Sequence, residues 1–188
     1  MADINTLAPF ILSFEGGYCN RKNDLGGPTN KGVTLKTWRS VGYDKDGDGD
    51  IDIADLKKLT DWEVVNVVMK PHYWDKWRGD EIRSQSLANI LCDWVWLSGP
   101  VGITIPQRML GVTADGVVGQ KTLAALNGTD YEDFFDKIKV RRREFYNNIV
   151  KNNPTQKENL AGWLRRLDSI NWGYLKDNRG KITRFTNK

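Results

Sequence analysis

The stretch from Ser86 to Leu97 constrains the fold more than any other. Leu87, Ile90, Leu91, Trp94 and Val95 leave a helix here with almost no polar face, so it must be enclosed on all sides. Other segments supply the enclosure at the helical period. Leu7, Phe10, Ile11 and Phe14 fall at i, i+3, i+4, i+7, and Phe134, Ile138, Phe145 and Ile149 form a second such face. The expected fold class is mainly α, packed around a buried central helix. A chain of 188 residues can bury such a core without disulfides. No apolar run approaches the roughly 18 residues of a membrane span, so no membrane insertion is expected. The opening Met1-Ala2-Asp3-Ile4 has no basic region followed by an apolar one, which predicts no conventional signal peptide and synthesis in the cytoplasm.

Punctuation sets the other elements. Gly16-Gly17 stops the first helix and leaves Glu15 at its C-terminus. Residues 18–34, rich in Gly, Asn, Asp and Pro, read as an irregular loop or a small hairpin region. A short helix from Leu35 to Val41 closes at Gly42. Thr60-Asp61-Trp62-Glu63 has capping-box spacing and opens a helix that Pro71 is expected to end. Beyond Gly99-Pro100 come helices near 106–110 and 120–126, a long helix from Asp130 to about Asn152, and a last one from Glu158 to Tyr174. The tail from Lys176 reads as polar, basic and frayed. The expected organisation is a catalytic region over 1–98, a helical region over 99–175 packed against it, and a tail over 176–188.

Two cysteines far apart, Cys19 and Cys92, and a single histidine, His72, exclude a zinc hydrolase built on Cys and His ligands. A Ser-His-Asp triad would have to use His72, and a Cys-His pair stays open on paper. Carboxylates remain the better-supplied chemistry. Glu15 follows Phe14 and precedes Tyr18, beside the negative end of a helix dipole. Such a carboxyl can act as a general acid, which cleavage of a glycosidic bond requires. The glycines after it let a bulky substrate approach the backbone.

Phe14-Glu15-Gly16-Gly17-Tyr18 and Asp24-Leu25-Gly26-Gly27-Pro28-Thr29-Asn30-Lys31-Gly32-Val33-Thr34, continued by Thr37-Trp38, Tyr73-Trp74 and Ala88 to Trp94, resemble the family 108 glycoside hydrolases. These are bacterial and phage N-acetylmuramidases with a lysozyme-like helical fold. The resemblance implies a peptidoglycan glycan strand as substrate and Glu15 as the catalytic residue. Asp24, nine residues later, has a spacing similar to the second carboxylate of phage-type lysozymes, and Thr29 would hold the attacking water. Asp24 equally suits the start of a turn. Tyr18, Trp38, Tyr73, Trp74 and Trp77 are candidate subsite walls, because aromatic rings stack on sugar faces, with core packing as the alternative. Thr34 is either a cleft residue or a helix N-cap. Asp93, within the enclosed helix, must find a partner.

Asp44-Lys45-Asp46-Gly47-Asp48-Gly49-Asp50-Ile51-Asp52-Ile53-Ala54-Asp55 fits the twelve-residue EF-hand template, with Asp55 where the template has Glu. Asp44, Asp46, Asp48, Asp50, Asp52 and Asp55 are therefore expected to hold a structural Ca²⁺, with selectivity over Mg²⁺ left open by the shorter last arm. A sensor role is disfavoured, since sensors pair their loops and open a Met-rich groove.

Gly111 to Leu123 looks like the D-G-x-x-G-x-x-T core of peptidoglycan-binding modules, with a purely structural turn as the alternative, and Arg141-Arg142-Arg143 reads as a solvated helix face, with binding of wall phosphates or carboxylates as its alternative. The partner expected is peptidoglycan, with no nucleic acid and a monomeric chain, released to the wall by a holin or a phage. A net charge of +4 is compatible with an anionic polymer and decides nothing. The rival functions are a non-catalytic wall-binding or phage structural protein, and a hydrolase of chitosan or chitin, because fold does not fix substrate.

Overall fold

The computed structural model describes residues 1–20 and 27–187. In chain order the elements are α1 (Ile4–Phe14), β1 (Thr29–Asn30), β2 (Val33–Thr34), α2 (Leu35–Val41), α3 (Ile53–Lys57) and α4 (Asp61–Glu63), which continues as a π-helix (Val64–Trp74). Then follow α5 (Gln85–Ser98), α6 (Val101–Met109), α7 (Gln120–Asn127), α8 (Tyr131–Asn152), α9 (Lys157–Asp168), β3 (Ile170–Asn171), β4 (Tyr174–Lys176) and β5 (Ile182–Arg184). The fold is mainly helical.

The enclosed helix of the sequence is α5, buried at every residue from Gln85 to Val95. Ser84 caps it, and α1, the π-helix, α6, α8 and β3 surround it. The approach of α6 is a tight one. A Cβ on Gly102 would lie 2.6 Å from the Val95 backbone nitrogen, so only a residue without a side chain lets the two helices meet there.

The capping box at Thr60 forms as expected, with Thr60 and Glu63 satisfying each other's backbone N–H. Pro71 does not end the helix. The chain runs on to Trp74 in a wider winding, shown by the Asp75 N–H bonding back to the Lys70 carbonyl. In an α-helix the prolyl ring would meet the carbonyl four residues earlier, and a five-residue register relieves that contact.

The C-terminal end departs further from expectation. The last helix stops at Asp168 rather than Tyr174, and the chain folds into an antiparallel sheet of order β3-β4-β5. Ile170 and Leu175 sit opposite each other in register and both enter the core, while Gly173, at φ +76°, makes the turn between them. Two buried apolar residues flanking a glycine favour this hairpin over another helical turn. The tail is accordingly tied down: the Asn187 carboxamide accepts from Ser84 Oγ and the Ser86 N–H and donates to Ser86 Oγ.

Candidate active site

Glu15 is the C-cap of α1, where the backbone turns extended and its N–H bonds to the Leu12 carbonyl. Its side chain keeps 18% of its surface exposed, so the carboxyl is reachable but confined. Three groups confine it. Trp96, on the last turn of α5, donates its indole N–H to Glu15 Oε1 at 2.8 Å. Arg166, on α9, donates from Nη1 to the same oxygen at 2.8 Å. Gly32, in the β1–β2 turn, lies so close that a Cβ there would be 2.8 Å from Glu15 Cδ and 2.8 Å from Trp96 Cζ2. Among the described residues, Oε2 accepts no hydrogen bond. The turn itself needs the left-handed region at both Lys31 (φ 49°) and Gly32 (φ 79°). It is tied to the helix end by the Lys31 N–H on the Gly16 carbonyl, and by the exchange of backbone bonds between Cys19 and Thr29.

Behind Glu15 runs a line of buried charge. Arg166 bonds Asp93 Oδ1 through Nε at 2.9 Å, and Arg142, on α8, bonds Asp93 Oδ2 through Nη2 at 2.6 Å. Asp93 and Arg142 are fully buried and Arg166 nearly so. Burial alone would raise the Asp93 carboxyl, but the two guanidinium groups hold it below its ordinary range. Burial would likewise lower Arg166, yet Asp93 and Glu15 outweigh it and raise its affinity for the proton. The expectation that Arg142 lies on a solvated face is corrected: Arg141 and Arg143 are solvated, paired with Glu144 and Asp168, whereas Arg142 turns inward to Asp93, the Ile90 carbonyl and Tyr146. A carboxylate on an otherwise apolar helix was the sequence signal for such a cation, but nothing local said which arginine would meet it.

Residues 8–99 match the family model for glycosyl hydrolase 108. Residues 101–168 match a second model, described as a predicted peptidoglycan domain. Among solved structures, that of SagA from Brucella abortus is similar over 89% of this chain and 94% of that one, with 25% identity and a TM-score of 0.67. No match was found among curated protein sequences. Together the two regions make the chain a glycoside hydrolase acting on peptidoglycan. Glu15, Gly32, Asp93 and Trp96 lie in the family 108 region, whereas Arg142 and Arg166 come from the peptidoglycan domain.

The aromatic residues of the family 108 region divide. Trp38 and Trp74 are corrected from subsite walls to core: both are buried, each with its indole packed onto a glycine, Gly42 and Gly79, where a Cβ would lie within 2.3 and 2.2 Å of the ring. Trp77 is buried too and donates to the Gly102 carbonyl at 3.2 Å. Tyr73 is half-buried against Trp96, ring centroids 4.7 Å apart, and so backs the indole that holds Glu15. Tyr18 is exposed beneath Lys57 Nζ, 4.7 Å from its ring centre. Thr34 is the N-cap of α2, its hydroxyl taken by the Thr37 N–H. Thr29 Oγ1 donates to the Gly27 carbonyl at 3.1 Å. Asp24 lies outside the described residues. Sequence reasoning missed Trp96, Gly32 and Arg166 as companions of Glu15. Cys92 is buried, which pushes its thiol well above the ordinary range and leaves it inert as a nucleophile.

In the aspartate loop, the carboxylates gather in two groups, Asp44, Asp46 and Asp48, and Asp50, Asp52 and Asp55, each within 4.8 Å. Asp44 wraps the loop by accepting the N–H groups of Asp46, Gly47 and Gly49. Asp55, fully buried, accepts from Lys45 and Asp52 N–H. Partial desolvation and the charges of Asp48, Asp52 and Asp55 push the Asp50 carboxyl up, while Lys58 bonds Asp46 at 2.9 Å. Six hard oxygen donors in mutual repulsion fit a divalent cation such as Ca²⁺. The two groups have not merged into the single ring of the EF-hand template.

Proposed function

We propose that the chain is a lysozyme-type N-acetylmuramidase, cutting the glycan strand of the bacterial wall between N-acetylmuramic acid and N-acetylglucosamine, with Glu15 as general acid. The observation that carries this reading is the Glu15 carboxyl, confined under the Gly32 turn with Oε1 held by Trp96 and Arg166 and, among the described residues, no hydrogen bond on Oε2. A proton on Oε2 passes to the glycosidic oxygen, the bond to the anomeric carbon breaks with its electron pair on that oxygen, and Glu15 is left as a carboxylate. Water fills the anomeric carbon and returns a proton to the site. Asp24 is the second carboxylate in this proposal, on its spacing from Glu15 alone.

The aspartate loop, loaded with Ca²⁺ through Asp44, Asp46, Asp48, Asp50, Asp52 and Asp55, would brace α2 and α3, which it joins. Its chemistry there is charge neutralisation. A holin-type or phage-borne route would deliver the monomer to the wall.

The test is digestion of purified sacculi by wild type and Glu15→Gln, with identification of the new reducing ends. Muramic acid ends from wild type and none from the variant are expected. Equal release by both proteins overturns the role of Glu15. Release from chitin or chitosan but not from sacculi would transfer the activity to the rival substrate, and no release from any glycan would leave a wall-binding protein.

A further inference from the structure

Resting on the reading of Glu15 as general acid, we infer that Arg166 is a positioning residue for it, seated by Asp93 and Arg142, so that the peptidoglycan domain completes the active site instead of serving only as a binding module.

Charge balance carries the inference. Arg142 alone already neutralises Asp93, and its other two nitrogens donate to the Ile90 carbonyl and the Tyr146 hydroxyl. A buried ion pair built for structure would be closed at that point, because each further ion taken out of water is costly unless it is paired. Arg166 nevertheless adds a second guanidinium to the same carboxylate, leaving one surplus positive charge inside the protein. That surplus points at Glu15 Oε1, 2.8 Å away. The guanidinium also lies over the Phe14 ring, 5.5 Å from its centre, on the helix end that carries Glu15.

A cation held in this way suits the charge that appears on Glu15 as its proton leaves. It is in place before the bond breaks, desolvated, and already protonated, so that it cannot take the proton itself. Preorganised charge of this kind needs no rearrangement during the reaction. Asp93 sets the direction: with one oxygen on Arg142 and the other on Arg166, it fixes the second guanidinium relative to the first. The line thus joins α8 and α9 of the peptidoglycan domain to the end of α1 through a single residue of α5.

The test is a double-mutant cycle on sacculi, reading kcat and KM separately below the melting temperature of each variant. Arg166→Gln is expected to lower kcat by about 100-fold, the loss typical of one preorganised donor, with KM changed by no more than about two-fold. Asp93→Asn should lower kcat by roughly ten-fold, and the double variant should be no slower than Arg166→Gln, since Asp93 acts through Arg166. Arg166→Lys, which keeps the charge but not the fork, should recover part of the loss. If Arg166→Gln does not fold, the same cycle with Arg166→Lys decides. Multiplicative losses, or losses confined to KM or to melting temperature, would overturn the inference. Should Glu15→Gln be inactive while folded Arg166→Gln turns over like wild type, the inference alone falls; an active Glu15→Gln would instead remove the general acid on which it rests.

Discussion

Replacing Gly32 with alanine places a methyl group 2.8 Å from Glu15 Cδ, 2.9 Å from Glu15 Cγ and 2.8 Å from Trp96 Cζ2. Non-bonded carbons rest at about 3.5–4.0 Å, so one partner must retreat by roughly 0.7–1.2 Å. Neither yields freely. Glu15 is held by Trp96 and Arg166, and the Trp96 ring is backed by Tyr73. A misplacement of about 1 Å at a reacting group costs on the order of 100-fold in rate. The left-handed backbone at φ +79° adds a stability cost of roughly 1–2 kcal/mol for any residue with a Cβ. Gly180→Ala isolates that second effect, because Gly180 has φ +88° and only Lys176 Cε, at an ordinary 3.9 Å, near its Cβ position. Initial rates of reducing-sugar release from sacculi, with thermal melts of the same samples, separate the two. For a chain of this size each 1 kcal/mol moves the melting temperature by about 2–4 °C. Gly180→Ala should melt lower and hydrolyse at the wild-type rate, whereas Gly32→Ala should also lose about 100-fold in rate. A Gly32→Ala enzyme as fast as Gly180→Ala would refute the claim that the turn sets the position of the Glu15 carboxyl.

Glu63 is held at about 2 rather than its ordinary 4.5: burial opposes this, and the bonds from Lys45, Tyr43 and Thr60 outweigh it. Its stabilisation is therefore complete above about pH 4.5 and lost as the pH falls toward 2. In urea melts, Glu63→Gln should be less stable than wild type at pH 7, with the gap closing across that window; a gap independent of pH would refute the assignment. Adding EGTA should lower the melting temperature and excess Ca²⁺ should restore it, whereas melting unchanged by either rejects the bound ion. Trp38→Ala should cost about 3–5 kcal/mol in urea unfolding, as loss of a fully buried aromatic does. A variant of wild-type stability with raised KM would return Trp38 to the glycan subsites.

Local features followed from the order of residues alone. The all-round apolar run from Ser86 to Leu97 could only be an enclosed helix, and α5 is one. Glycines after Phe14 left Glu15 at a helix end, and the Thr60 and Thr34 hydroxyls capped helices where their spacing said they should. These outcomes depend on neighbours within about a turn, which residue type and period report directly. The identity of contacts across the fold was decided only by tertiary structure. Periodicity says that Asp93 is buried, not that Arg142 and Arg166 meet it, and Arg166 reaches Glu15 across 151 positions of sequence. Tryptophan suits a sugar platform and a core equally well. The backbone at Gly42 and Gly79 committed Trp38 and Trp74 to the core, while the end of α5 presented Trp96 to Glu15. The C-terminal segment had the apolar content of a helix, yet Gly173 and the pairing of Ile170 with Leu175 made it a hairpin. Glu15 was thus legible as a residue with a place in the chain, and its surroundings came from the groups that folding brought to it.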